Sequence, residues 1–242
     1  MNKYFIAMAG LMLTSFAWAA ATDDNEINID QTGNTLTLYI DQVGYGNKIG
    51  LNNFETSSAA TPITGTSLTF NIDQLGNENL LYGSLTANSS TYNLMWTGDS
   101  NVLDYKIGDV GSSDSTTMDI TMTGDSNTID FDQGSVASSE RLDFDLSVLG
   151  STNVFDIDIE TDDVTWNWDI TGDGNDIKSL QNDGFYQTQT VEFDGDNANI
   201  DINQLSGTCP TGINTCKGII TLDITSDNAV IQINQKDTAG DS

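Results

Sequence analysis

Carboxylates are the only plentiful reactive groups in this 242-residue sequence, with 36 Asp and Glu against 7 Lys and Arg and no histidine. Clustered carboxylates offer oxygen ligands to a hard cation such as Ca²⁺. The turns GDSN, GDGN and GDN place Asp99, Asp125, Asp173 and Asp196 as candidate ligands. Asp and Asn are also favoured in turns for conformational reasons, and the nine-residue GGxGxDxUx spacing of calcium solenoids is missing. Calcium sites and a solvated acidic surface therefore stand as two readings of the same residues.

Composition excludes most other chemistry. Without histidine there is no Ser-His-Asp or Cys-His nucleophile system, no His-ligated zinc and no usual general base. Carboxylate pairs are too abundant for any one to be singled out as an acid–base pair, and Arg141 is the sole arginine. The chain reads as a non-enzyme with no catalytic residue and no cofactor beyond the calcium candidate. A formal charge of -29 argues against nucleic acid as a partner. Cys209 and Cys216, the only cysteines, flank a Gly- and Pro-containing loop and read as a local disulfide in an exported chain.

Export is expected from the first residues. Lys3 precedes an apolar run from Tyr4 to Phe16 and a small-residue site, so residues 1–19 read as a signal peptide cut after Ala19, or alternatively after Ala21. Its apolar core is shorter than the ~20 residues that span a bilayer, and no later segment is long enough, so no transmembrane segment is expected. Residues 20–242 form one domain.

The elements that must position these groups follow from a repeat: alternating apolar residues, Gly, two small polar residues, Asn, then alternation again. The copies centre on Gly44 and Asn47, Gly76 and Asn79, Gly98 and Asn101, Gly124 and Asn127, Gly150 and Asn153, and Gly172 and Asn175. Looser copies lie at Gly195 and Ser226, and a half-unit at Gly33. The intervals between successive turn positions are 32, 22, 26, 26, 22, 23 and 31 residues, a unit of roughly 22 with additions. A period of two inside each unit means strands. A two-strand unit cannot bury its apolar face alone, so units must stack. The expected fold is an all-β solenoid of about eight coils, built from strand-turn-strand repeats.

Alternation then assigns the core. Rows running from Gln31 to Ile224, from Ile29 to Leu222 and from Ile49 to Ile177 should form inward ladders, with the turn Asn bonding neighbouring backbone or the Asn of the next coil. The additions, at residues 52–65, 110–115, 134–141 and 206–218, share one phase and should decorate one edge. Outward, Asp104, Asp130 and Asp156 should stack, with Asp132 and Asp158 beside them. Like charges roughly 4.8 Å apart repel, so salt, divalent cations or acid should favour the rod.

The segment Ile29–Gly50, IDQTGNTLTLYIDQVGYGNKIG, with Gln31 and Gln42 eleven residues apart and Q-x-G-x-G-N at its turn, resembles the repeat of curlins, the subunits of bacterial curli fibres. IDQLGNEN from Ile72 is a second match; the Gln204 and Gln235 segments, IDINQ and IQINQ, are partial ones. The middle of the chain departs from the pattern: apolar residues replace the Gln column from Trp96 to Ile170, and the Gly-rich segment that usually precedes the first curlin repeat is missing. The resemblance implies an extracellular or cell-surface location in a diderm bacterium, with a nucleator or secretion-pore protein as a further partner. It also implies a solenoid that self-associates end to end as functional amyloid of the biofilm matrix. Gln31, Gln42, Gln74, Gln204 and Gln235 are the expected polar ladder at the assembling ends. The alternative from a different class is a monomeric secreted adhesin, or a calcium-dependent carbohydrate or surface binder.

Overall fold

The computed structural model of the chain describes residues 26–29, 32–44, 47–51, 63–76, 79–98, 100–107, 114–133, 139–182, 186–208 and 218–238. The expected leader at 1–19, with its alternative end at 21, lies outside these residues, as do Gln31, Asp99 and the Cys209–Cys216 pair. The described residues are all-β and contain no helix long and apolar enough to cross a membrane.

Two parallel sheets face each other. The strands that precede each Gly turn form a leading sheet: β2 (Thr35–Val43), β5 (Ser67–Leu75), β7 (Ser90–Thr97), β9 (Thr116–Thr123), β11 (Ser139–Leu149), β13 (Thr161–Thr171), β15 (Gln187–Asp194) and β17 (Gly218–Thr225), stacked in that order. The strands that follow the turns form a trailing sheet: β3 (Lys48–Leu51), β6 (Leu80–Ala87), β8 (Val102–Ile107), β10 (Thr128–Gln133), β12 (Val154–Ile159), β14 (Asp176–Asn182), β16 (Asn199–Thr208) and β18 (Val230–Thr238). A short strand β1 (Glu26–Asn28) pairs with the outer edge of β3, and β4 (Ile63–Gly65) pairs with β6. The chain alternates between sheets, so each winding lays its two strands on those of the winding before. This is a β-solenoid.

Parallel pairing in register turns sequence alternation into columns. Gln42, Gln74, Trp96, Met122, Val148, Ile170, Phe193 and Ile224 are successive register partners, as the sequence predicts. Ile40 to Leu222 and, on the trailing sheet, Ile49 to Ile177 are likewise continuous. Ile29, expected at the head of the Ile40 row, instead follows β1 along the trailing sheet, with its N–H on the Gly50 carbonyl, because the first half-unit has no leading strand before it. The core between the sheets holds Trp96, Trp166, Trp168, Phe70, Phe131, Phe144 and Phe155, all fully buried. Phe70 stacks on Tyr92, whose hydroxyl meets that of Tyr105 at 2.8 Å, and burial raises both phenol pKa values.

The additions at 110–115, 134–141 and 206–218 fall where the chain passes from trailing to leading sheet, whereas the one at 52–65 interrupts the trailing sheet between β3 and β4, which both pair with β6. The expected bounds of all but 110–115 are too wide. Ile63–Gly65 is strand β4, β11 already begins at Ser139, β16 runs on to Thr208, and β17 starts at Gly218. In each case a neighbouring winding offers a partner: Ile63 pairs with Leu85, Ser139 with Thr161, Thr208 with Thr238 and Gly218 with Gln187. Main-chain groups beside an unpaired edge take the hydrogen bonds available to them.

Candidate assembly surfaces

The turns are the most closely specified local structure. Each turn Asn is buried and donates its side-chain N–H both backwards, to the carbonyl of the Gly three residues before it, and onwards, to Oδ1 of the Asn in the next winding. The onward bonds are 2.8 Å from Asn47 to Asn79, 2.7 Å to Asn101, 2.7 Å to Asn127, 2.9 Å to Asn153 and 2.8 Å to Asn175. From Asn101 onwards the main-chain N–H of each Asn, as far as Asn153, donates to that same Oδ1. The ladder stops at Asn175, because Ala198 and Ala229 occupy the next two positions. Asn127→Ala removes the acceptor of both Asn101 donors and the donor to Asn153. With buried groups left unpaired, the expected loss is about 3 kcal/mol, read from the urea unfolding midpoint.

The Gln residues do not make one ladder. Gln42 and Gln74 lie on the leading sheet next to the Gly turns, with Gln74 Nε2 donating to Gln42 Oε1 at 3.0 Å and the Trp96 indole N–H donating to Gln74. Gln204 and Gln235 lie on the trailing sheet near the opposite edge. There Gln204 donates to Gln181 at 3.1 Å and Gln235 to Gln204 at 2.8 Å. Alternation alone gives the inward phase but not the sheet, so the sequence reading merged two ladders into one. It also missed Gln133, Gln181, Gln187 and Gln189, all fully buried. Counting six residues beyond the turn Asn finds Gln133 and Gln181.

The calcium candidates serve the turns. Asp125 accepts the main-chain N–H of Ser151 at 2.7 Å, Asp173 that of Asp196 at 2.8 Å, and Asp196 that of Asp227 at 2.7 Å, so each staples its winding to the next. Among the described residues no group of three or more acidic, Cys or His side chains is placed to hold a metal.

The expected acidic columns are present on the outer face of the trailing sheet. Asp104, Asp130 and Asp156 are register partners, as are Asp132 and Asp158. Lys106 pairs with Asp132 at 3.1 Å and Lys178 with Asp156 at 3.3 Å. Partial burial first, then Asp104, Asp132 and Asp156, raises the Asp130 pKa; burial and then Asp156 and Asp132 raise that of Asp158. On the other face Asp119 and Asp143 are raised by burial and by Asp145. A raised folded-state value means that the folded chain binds these protons more readily than the unfolded chain. Stability should therefore increase as pH falls from neutral through the raised values, and level off near the ordinary carboxylate value of about 4. The urea midpoint at pH 5 should exceed that at pH 7; an equal or lower midpoint contradicts the repulsion.

The leading sheet's outer face carries a column that sequence reasoning missed. Thr37, Thr69, Thr91 and Thr117 stack, Asp143 interrupts them, and Thr165 and Thr188 continue. Additions of unequal length hide this alignment in the sequence. All four described lysines, Lys48, Lys106, Lys178 and Lys236, sit instead on strands of the trailing sheet.

The ends differ from the middle. In the last winding the inward residues lose their cover: Ile231 is 43% and Ile233 47% exposed, whereas Ile200 and Ile202, one winding before, are fully buried. Ile220, Leu222 and Ile224 of β17 are half-buried. Among the described residues, β17 and β18 each pair on one side only, as do β1 and β2 at the other end. Comparison with protein families, with curated proteins and with solved structures finds no match.

Proposed function

We propose that this chain is an exported structural subunit of a curli-like extracellular fibre or biofilm matrix, assembling end to end through its terminal windings. The observation that carries the reading is the open last winding, where unpaired parallel strand edges coincide with half-uncovered core columns. Such an edge templates another strand unless a cap, bulge or inward charge blunts it. The inward residues of β18 are Ile231, Ile233 and Gln235, with no charge among them. Main-chain pairing supplies affinity, and the in-register columns supply specificity. The curlin-like residues at Gln31, Gln42 and Gln74 and the Asn ladder support the same reading. Calcium enters as a screening cation for the acidic columns rather than as a resident cofactor.

Negative-stain microscopy of the mature protein, with and without salt and calcium, tests it. Filaments with a regular axial repeat, more abundant at high ionic strength, are expected. A protein that stays monomeric at high concentration in every buffer overturns the proposal.

A further inference from the structure

The two ends are not flush with each other. At the C-terminal end β17 and β18 belong to one winding, one strand in each sheet. At the other end the trailing sheet finishes on β1, one strand beyond β3, while the leading sheet finishes on β2. Laying β17 of one copy on β2 of another therefore brings β18 to the place that β1 holds. Laying β18 on β1 instead leaves β17 and β2 a full strand apart, with their edges unpaired. Both sheets can continue across a junction only if β1 leaves.

The residues of β1 fit a place-holder for β18. Glu26, Ile27 and Asn28 pair with Lys48, Ile49 and Gly50, and the Ile29 N–H bonds the Gly50 carbonyl at 2.8 Å. Along the columns of the trailing sheet, Val230, Ile231 and Gln232 occupy the same three phases. The chain thus reads E-I-N-I at one end and V-I-Q-I at the other. β1 has 3 residues and β18 has 9. The edge they compete for is β3 followed by β4, 4 and 3 residues long. The resident segment holds β4 through the Thr32–Thr64 bridge and the Gly33 N–H on the Thr64 carbonyl at 3.1 Å, whereas β18 runs unbroken through the phases of both, so exchange favours the incoming copy.

We infer that β1 is a displaceable guard on the N-terminal end: β18 of a second copy of this chain replaces it on β3 while β17 pairs with β2. This rests on the end-to-end reading above and adds the register and the strand that must move. The junction sets Ile231 beside Ile49, Leu222 beside Ile40 and Asp223 beside Asp41, so the last contact also makes growth salt-dependent.

Cysteine pairing between copies tests the register. Chains with Cys209→Ser and Cys216→Ser are mixed in two combinations, Val230→Cys with Lys48→Cys and Val230→Cys with Glu26→Cys, and oxidised during assembly. The expected result is a disulfide-linked dimer in the first mixture and none in the second. A chain that begins at Gly33, without β1, should polymerise with a shortened lag. Cross-linking of Val230→Cys to Glu26→Cys, or slower growth without β1, overturns the displacement. Filaments that cross-link in neither mixture overturn it and leave the fibre reading standing; a chain that remains monomeric throughout overturns both.

Discussion

Gly172→Ala should unfold the central windings, whereas Gly174→Ala, two residues further along the same turn, should leave them almost intact. A Cβ at residue 172 would lie 2.0 Å from the Gly150 carbonyl oxygen, 2.5 Å from its carbon and 3.2 Å from the Ser151 nitrogen, with φ at +140°. Every one of these contacts is main chain of the preceding winding, held in turn by its own ladder bonds, so no side chain can swing aside. Relief requires the two windings to separate, which breaks the Gly150-to-Thr171 main-chain bond at 2.9 Å, the Thr152-to-Asp173 bond at 2.8 Å and the Asn153–Asn175 rung. The loss should be about 4 kcal/mol or more, in the range where overpacking and backbone strain combine. At residue 174, φ is +67° and the nearest atom is the Thr152 methyl at 3.6 Å. Ser100, Ser126, Thr152 and Asn197 hold the same left-handed conformation at the equivalent position of other windings. Alanine there should cost about 1 kcal/mol. Urea unfolding of both variants measures the difference; similar midpoints contradict the stacking of successive Gly turns.

That contrast marks what the sequence makes legible. Gly at 44, 76, 98, 124, 150 and 172 recurs because each close approach repeats the one below it, and a requirement repeated by translation prints itself as a period. The same holds for the turn Asn and for the inward alternation, which is why the phase of the core rows from Gln42 and from Ile49 can be read without coordinates. Features that need two sheets to be told apart, or register carried across additions of unequal length, leave no such period. Gln42 and Gln204 obey the same alternation yet end on opposite sheets. The threonines of the leading sheet align only once the additions are excised. Asp125, Asp173 and Asp196 look like ligands in one dimension, and only the stacked windings bring a main-chain N–H to each carboxylate. Hardest to read is the three-residue β1, too short for a periodic signal, whose meaning depends on an unequal number of strands in the two sheets.

Chains carrying both Ile231→Lys and Ile233→Lys should fold as the parent does and fail to grow filaments. In the isolated subunit these side chains are 43% and 47% exposed, so a lysine there can run its methylenes along the end of the core and keep its ammonium in water. The change in unfolding free energy should stay within about 1 kcal/mol, because nothing buried is left unpaired. At a junction the same ammonium groups would be covered by the next copy and stripped of water without a partner, which costs several kcal/mol per ion. The N-terminal end of the variant is untouched, so it can still add to the open end of a parent filament and then present a blocked end of its own. Small amounts mixed into the parent protein should therefore stop growth at the β17–β18 end well below equimolar ratio while the β2 end still accepts parent subunits, measured as a drop in filament length by microscopy. Inhibition only at stoichiometric amounts, or normal co-polymerisation, would show that growth does not pass through the β17–β18 edge. Ile200→Lys, at a fully buried position one winding inside, separates the two effects, since it should abolish folding itself.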